Sequence, residues 1–225
     1  MARPTEPSVP TDLSLRLAEL MCARLCHDLS GPLGTVGGAL ELAGEAEPGA
    51  ETREAMAAAR EGAEAMRLRL RLLRAAWGGE SEASTPAHVA VLAEALACEG
   101  RVALDFSGLD AGRAFAPAAV PLVLNVLMLA VEALGGRGRV ALAGAPDGDV
   151  SVTVAGPRAA WPVPLAACIA EPARAAACLT GPRAVLAPLV VLLARAAGAE
   201  IALGRAEGGA APPPLLLRLP RGFGR

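Results

Sequence analysis

The sequence predicts an α+β protein: an N-terminal antiparallel helical hairpin that pairs with a second copy into a dimeric four-helix bundle, followed by an α/β sandwich. Three observations carry this. Residues 12–78 hold two long amphipathic helical patterns with only a short turn between them. A Gly, Ser, Glu and Thr linker at 79–86 then breaks the helical period. From 87 to 225, β-type runs alternate with apolar helical runs, the order that layers helices on one mixed sheet.

Residues 1–11 are Pro-rich and are expected to be disordered, with no apolar signal core. Thr11 or Asp12 is placed to cap a first helix running to Glu45. Its seam is read through Ala18, Cys22, Leu25, Leu29, Val36 and Leu40. Residues 45–49, with Pro48 and Gly49, form the turn. In the second helix, Thr52, Met56, Ala59, Ala63, Met66, Leu70, Leu73 and Trp77 alternate spacings of four and three, a bundle seam. One hairpin has too little core to stand alone, which makes homodimerisation the economical expectation; packing on its own C-terminal domain is the alternative. Beyond the linker, helices are expected near 88–98 and 117–134, with helical segments within 164–179 and 183–197. Strands are expected at 101–106, 139–143, 150–155, 200–203 and 215–219, with a turn at Pro146-Asp147-Gly148.

Composition excludes several classes. The formal net charge is -2, and all 21 basic residues are Arg. General nucleic-acid binding wants a strongly basic surface. The five cysteines (Cys22, Cys26, Cys98, Cys168 and Cys178) are scattered among apolar residues and read as reduced core thiols, with Cys22 and Cys26 on the buried seam. No apolar run reaches membrane-spanning length, and the expected location is the cytoplasm.

The chemistry concentrates around His27. At about 100° per residue, its side chain points roughly 160° away from the seam, toward solvent. Leu20, Gly31, Gly34 and Gly38 project on the same side. A Gly inside a helix costs about 1 kcal/mol and a Pro about 3 kcal/mol relative to Ala, yet Gly31, Pro32, Gly34, Gly37 and Gly38 all fall here. A face stripped of side chains beside an exposed imidazole lets another protein's backbone approach, unless the glycines instead pack on a neighbouring helix. Arg53, Arg60, Arg67, Arg71 and Arg74 form a stripe beside the second seam, with Arg67 near the level of His27. The stripe is either a solvated face or a surface for phosphoryl charge and an acidic partner. Arg24 can pair with Asp28 at i, i+4, as an ordinary salt bridge or as support for His27.

The run His27-Asp28-Leu29-Ser30-Gly31-Pro32-Leu33 resembles the H-box of sensor histidine kinases. Residues 23–29 together with Leu40-Glu41-Leu42 look more specifically like the ChpT-type histidine phosphotransferases of alphaproteobacterial cell-cycle signalling. The order of elements after the linker likewise resembles the kinase ATP-binding domain, but its nucleotide motifs are missing. In Asn125-Val126-Leu127-Met128-Leu129-Ala130, Leu129 stands where the magnesium-holding Asn belongs. The strand end at 154–158 lacks the adenine-reading Asp, and Gly181-Pro182-Arg183-Ala184-Val185 replaces the phosphate-cradling glycine box. The resemblance implies a degenerate domain that binds no cofactor. It implies a relay in which a receiver aspartyl phosphate of a hybrid kinase passes its phosphoryl group to His27, which hands it to response regulators. The Mg²⁺ would come with the receiver. In this reading His27 is the phosphoacceptor with Asp28 and Arg24 beside it, and Leu20, Gly31, Gly34, Arg67 and Arg71 form the docking surface. The alternatives are a non-catalytic dimeric scaffold for receivers, an active histidine kinase, and metal or haem binding through Cys22, Cys26 and His27.

Overall fold

The computed structural model describes residues 11–79, 81–97, 101–144, 149–206 and 211–220. Two long helices come first, α1 (Thr11–Glu45) and α2 (Ala50–Trp77), packed as an antiparallel hairpin. The capping side chains expected at Thr11 and Asp12, the turn at Pro146-Asp147-Gly148, Cys98 and most of the N-terminal segment lie outside the described residues. Apolar spacing sets the hairpin, and small residues set its closeness. On α2, Ala55, Ala59 and Gly62 are buried. A Cβ on Gly62 would lie 3.0 Å from Val36 Cγ2 and 3.3 Å from the Pro32 carbonyl oxygen, so this glycine lets the helices touch.

The linker is pinned rather than free. Ser84 exchanges both backbone hydrogen bonds with Phe115, and Thr85 accepts from the His88 N–H to cap α3 (Pro86–Ala93). This helix ends earlier than the sequence suggests, tightening into a 3₁₀ turn at Glu94–Leu96. The remaining elements are β1 (Val102–Gly108), α4 (Ala119–Ala133), β2 (Gly138–Gly144), β3 (Val150–Ala155), α5 (Val163–Ala170), α6 (Leu186–Ala196), β4 (Glu200–Leu203) and β5 (Leu215–Arg218). Between α5 and α6 run 3₁₀ turns at Pro172–Ala175 and Pro182–Ala184. The sheet order is β1-β2-β3-β5-β4, with β1 and β2 parallel and every other pair antiparallel. Helices layered on this mixed sheet give the expected α/β sandwich.

One continuous core crosses the boundary between the two parts. Leu20, Leu72, Leu73 and Ala76 of the hairpin join Leu122, Leu129, Val140 and Leu186 of the sandwich. This corrects the reading of α1. Leu20, expected on the outward docking side, is 4% exposed. It belongs to a row with Leu13, Leu17 and Leu25 that packs into the shared core. The sequence pattern presumed a single seam, but the N-terminal half of α1 is covered by more than its hairpin partner. Cys22 and Cys26 are exposed rather than on a buried seam, and so are Ala18 and Leu40. On α2, Ala63 and Leu70 are likewise exposed.

A polar tie reinforces the junction. Asn125 is fully buried among the apolar side chains of α4. Its Oδ1 accepts from Trp77 Nε1 at 2.9 Å, while its Nδ2 donates to the carbonyls of Pro121 at 2.8 Å and Ala76 at 3.3 Å. A buried amide needs such partners, and here they fasten the end of α2 to α4.

Candidate functional site

His27 lies mid-way along α1 with its side chain 58% exposed, as the helical period requires. Its Nδ1 is 3.4 Å from Asp28 Oδ1. The Asp28 carboxylate is itself held. Arg24 Nε donates to both of its oxygens, at 2.9 and 3.0 Å, from one turn back. Pro32 lies inside the helix one turn on. Its missing N–H removes the helical hydrogen bond to the Asp28 carbonyl.

Arg24 also reaches out of the hairpin. Its Nη2 is 2.6 Å from Glu132 Oε1 on α4, and its Nη1 donates to the Pro182 carbonyl at 3.5 Å. Side-chain exposures of 11% for Arg24, 9% for Asp28 and 31% for Glu132 show how far this triad is withdrawn from water. Burial works against the Arg24 charge, but the Glu132 and Asp28 carboxylates outweigh it and its pKa is raised. At Glu132, burial pushes the carboxyl above its usual range, against the opposing pull of Arg24 and of Arg69 on α2.

Sequence reasoning identified His27, Asp28 and Arg24 and missed Glu132 and Arg69. A signal for Glu132 was present: it is the single charged residue of α4, and it sits in the last turn. The helix dipole disfavours a carboxylate there, so a nearby cation was to be expected.

The structure sorts the remaining candidates. Gly31 and Gly34 are exposed, and a Cβ at either would meet nothing within 4 Å; the same holds at Gly37 and Gly38. None of the four serves packing on α2. Arg67 is exposed and bound bidentately to Glu64, at 2.6 and 2.7 Å. Arg71 is committed elsewhere: its Nη2 donates to the Val91 carbonyl at 2.7 Å and to Glu94 at 3.1 Å, fastening α2 to α3 and the following turn. Leu20, in the core, is no part of any exposed face. His88 is exposed, with its Nδ1 3.2 Å from Ser84 Oγ. In α4 the side chain of Leu129 is fully buried among apolar neighbours. The 3₁₀ turn at Pro182–Ala184 leans on α1, where its Pro182 carbonyl takes the Arg24 hydrogen bond. Among the described residues, no three His, Cys, Asp or Glu side chains converge as a metal site would require.

The hairpin that carries His27 and the mixed-sheet domain share one core. The family model for the histidine phosphotransferase C-terminal domain matches residues 86–209, more than half of the chain, and the chain belongs to that family. The protein phosphotransferase ChpT of Brucella abortus (strain 2308) is 38% identical over 77 residues, which is 34% of this chain. The match spans about a third (35%) of that curated relative's length. A solved structure described as a bacterial phosphotransferase superposes with a TM-score of 0.68 and 23% identity, covering 96% of this chain and 98% of the other. It shares the fold. A histidine kinase domain from Erythrobacter litoralis EL346 gives a TM-score of 0.40 at 16% identity, over 93% of each chain.

Proposed function

We propose that the protein is the histidine phosphotransferase of a multi-step phosphorelay, with His27 as phosphoacceptor. The observation that carries this is the exposed imidazole whose Nδ1 lies against a carboxylate pinned by Arg24. With the ring proton on Nδ1, facing Asp28, Nε2 keeps its lone pair for attack. The attacking nitrogen forms an N–P bond as the P–O bond to a receiver aspartate breaks, and the reverse step on a second receiver regenerates the free histidine. Phosphoryl transfer depends mostly on alignment and charge balance, which two docked proteins supply together. Mg²⁺ enters with the receiver.

The donor in this reading is the receiver domain of a hybrid histidine kinase, and the acceptors are response regulators of cell-cycle control. The open glycine face at 31 and 34 supports docking, with Arg67 at its edge; Arg71 is left out because its donors hold α3. The chain acts as a cytoplasmic homodimer. No helix among the described residues is long and apolar enough to cross a membrane. ATP-dependent kinase activity is not part of the proposal: the buried hydrocarbon of Leu129 offers Mg²⁺ none of the oxygen ligands it takes.

The test mixes purified protein with excess phosphorylated receiver from the same genome and follows acid-labile, base-stable phosphate on this chain. Label is expected on wild type, with none on His27→Ala and none from ATP alone. Label from ATP alone would restore the kinase reading. Binding without label, across the cognate receivers, would make the protein a scaffold.

A further inference from the structure

We propose that Glu132, contributed by the α/β domain, is a positioning residue for His27, acting through Arg24 and Asp28. The inference rests on the relay reading of His27 and deepens it, because it gives the domain that lacks nucleotide motifs a part in the phosphotransfer site. Arg24 stands between two carboxylates, with Nε on Asp28 and Nη2 on Glu132. A guanidinium has a rigid planar fork. Fixing its outer edge on Glu132, with Nη1 on the Pro182 carbonyl, fixes where its inner edge holds Asp28. Asp28 in turn sets the orientation and tautomer of the ring through Nδ1.

The charge count matters as well as the geometry. The two carboxylates, Asp28 and Glu132, are balanced by Arg24 and by Arg69 of α2, which acts on Glu132. Without the Glu132 charge the cluster would be left with one net positive charge beside the imidazole, which disfavours positive charge developing on the ring. Around this cluster, Arg69 of α2 faces Glu132, Arg67 is paired with Glu64, and Arg71 with Glu94. None of these is bound to Asp28.

The placement of Glu132 is otherwise unfavourable. It is the one charged group of an apolar helix and sits at the negative end of the helix dipole. Helix-end electrostatics disfavour a carboxylate there, and the cations that offset this are Arg24 and Arg69.

The experiment compares wild type with the near-isosteric Glu132→Gln, with Glu132→Asp, and with Glu200→Gln, a charge loss at the far sheet edge. Three readouts are taken: the His27 ring titration by NMR, the rate of phosphoryl uptake from a phosphorylated receiver against pH, and the melting temperature. Glu132→Gln is expected to lower the His27 pKa, to slow uptake on the order of tenfold, and to shift the acid limb of the rate profile the same way. Glu132→Asp should recover part of both effects, and Glu200→Gln should match wild type. An unmoved His27 titration in a folded Glu132→Gln overturns the proposal, even if uptake falls, because Glu132 would then serve only to hold the two parts together. Wild type that accepts no phosphoryl group would defeat the relay reading, while the titration would still decide the positioning claim.

Discussion

At the scale of single residues, the glycines after His27 separate stability from function. Gly34 lies in the interior of α1, exposed, with open space where a Cβ would go. Alanine there removes the backbone entropy cost of glycine, worth about 1 kcal/mol in an exposed helix, and meets no atom of the chain. Gly34→Ala should therefore raise the melting temperature by about 2–4 °C for a chain of this size. If a receiver backbone closes on this face, the same methyl group lies in its path, and uptake of phosphoryl by His27 should slow. A calorimetric scan beside the labelling assay reads both. A stabilised variant with an unchanged rate would remove Gly34 from the docking surface. His27 itself was readable because the apolar period of α1 fixes the direction in which its side chain points. Leu20 was not, because the same period cannot show that a second body covers the other side of α1.

At the scale of elements, the junction between α2 and α4 depends on one amide. Asn125 meets Trp77, Ala76 and Pro121 at once. Asn125→Leu keeps the heavy-atom count and branching of the side chain but leaves the Trp77 indole N–H and the Ala76 carbonyl without that partner. Leaving buried polar groups unpaired costs about 1–3 kcal/mol, so the melting temperature should fall by several degrees. Trp77 emission should shift to the red as the indole gains water. An unshifted melt would mean that the apolar contacts alone hold the junction. The elements themselves were legible, since strands and helices of the sandwich follow apolar runs bounded by Gly and Pro. The sequence placed Asn125 inside a kinase-like run but not in this tie, because its partners lie 48 and 49 residues away. The same distance problem hid Glu132, whose partner Arg24 belongs to the other half of the chain.

At the scale of the whole molecule, the distribution of side-chain size along the hairpin bears on assembly. The end joined to the sandwich buries Leu20, Leu72 and Leu73, whereas the buried residues of its far half are Ala39, Ala55, Ala59 and Gly62. Large apolar side chains along the hairpin stay outside: Leu33, Leu40 and Leu42 in the far half of α1 are 50–63% exposed, and Leu70, nearer the sandwich on α2, is 45% exposed. Positions 33 and 40, and positions 56, 63 and 70, repeat at the heptad spacing of a bundle seam. Small residues draw α1 and α2 together while the large ones wait on the free face, which is the pattern of half a four-helix bundle. Apolar surface left wet forgoes about 25 cal/mol per Å², and the homodimer proposed above would cover these rows. Sedimentation of wild type at micromolar concentration should give a dimer. Leu40→Glu combined with Leu70→Glu places charges on both rows and should give a folded monomer, because the shared core near Leu20 and Leu72 is untouched. Monomeric wild type would end the dimer reading, and a doubly substituted chain that still dimerises would put the interface on another face.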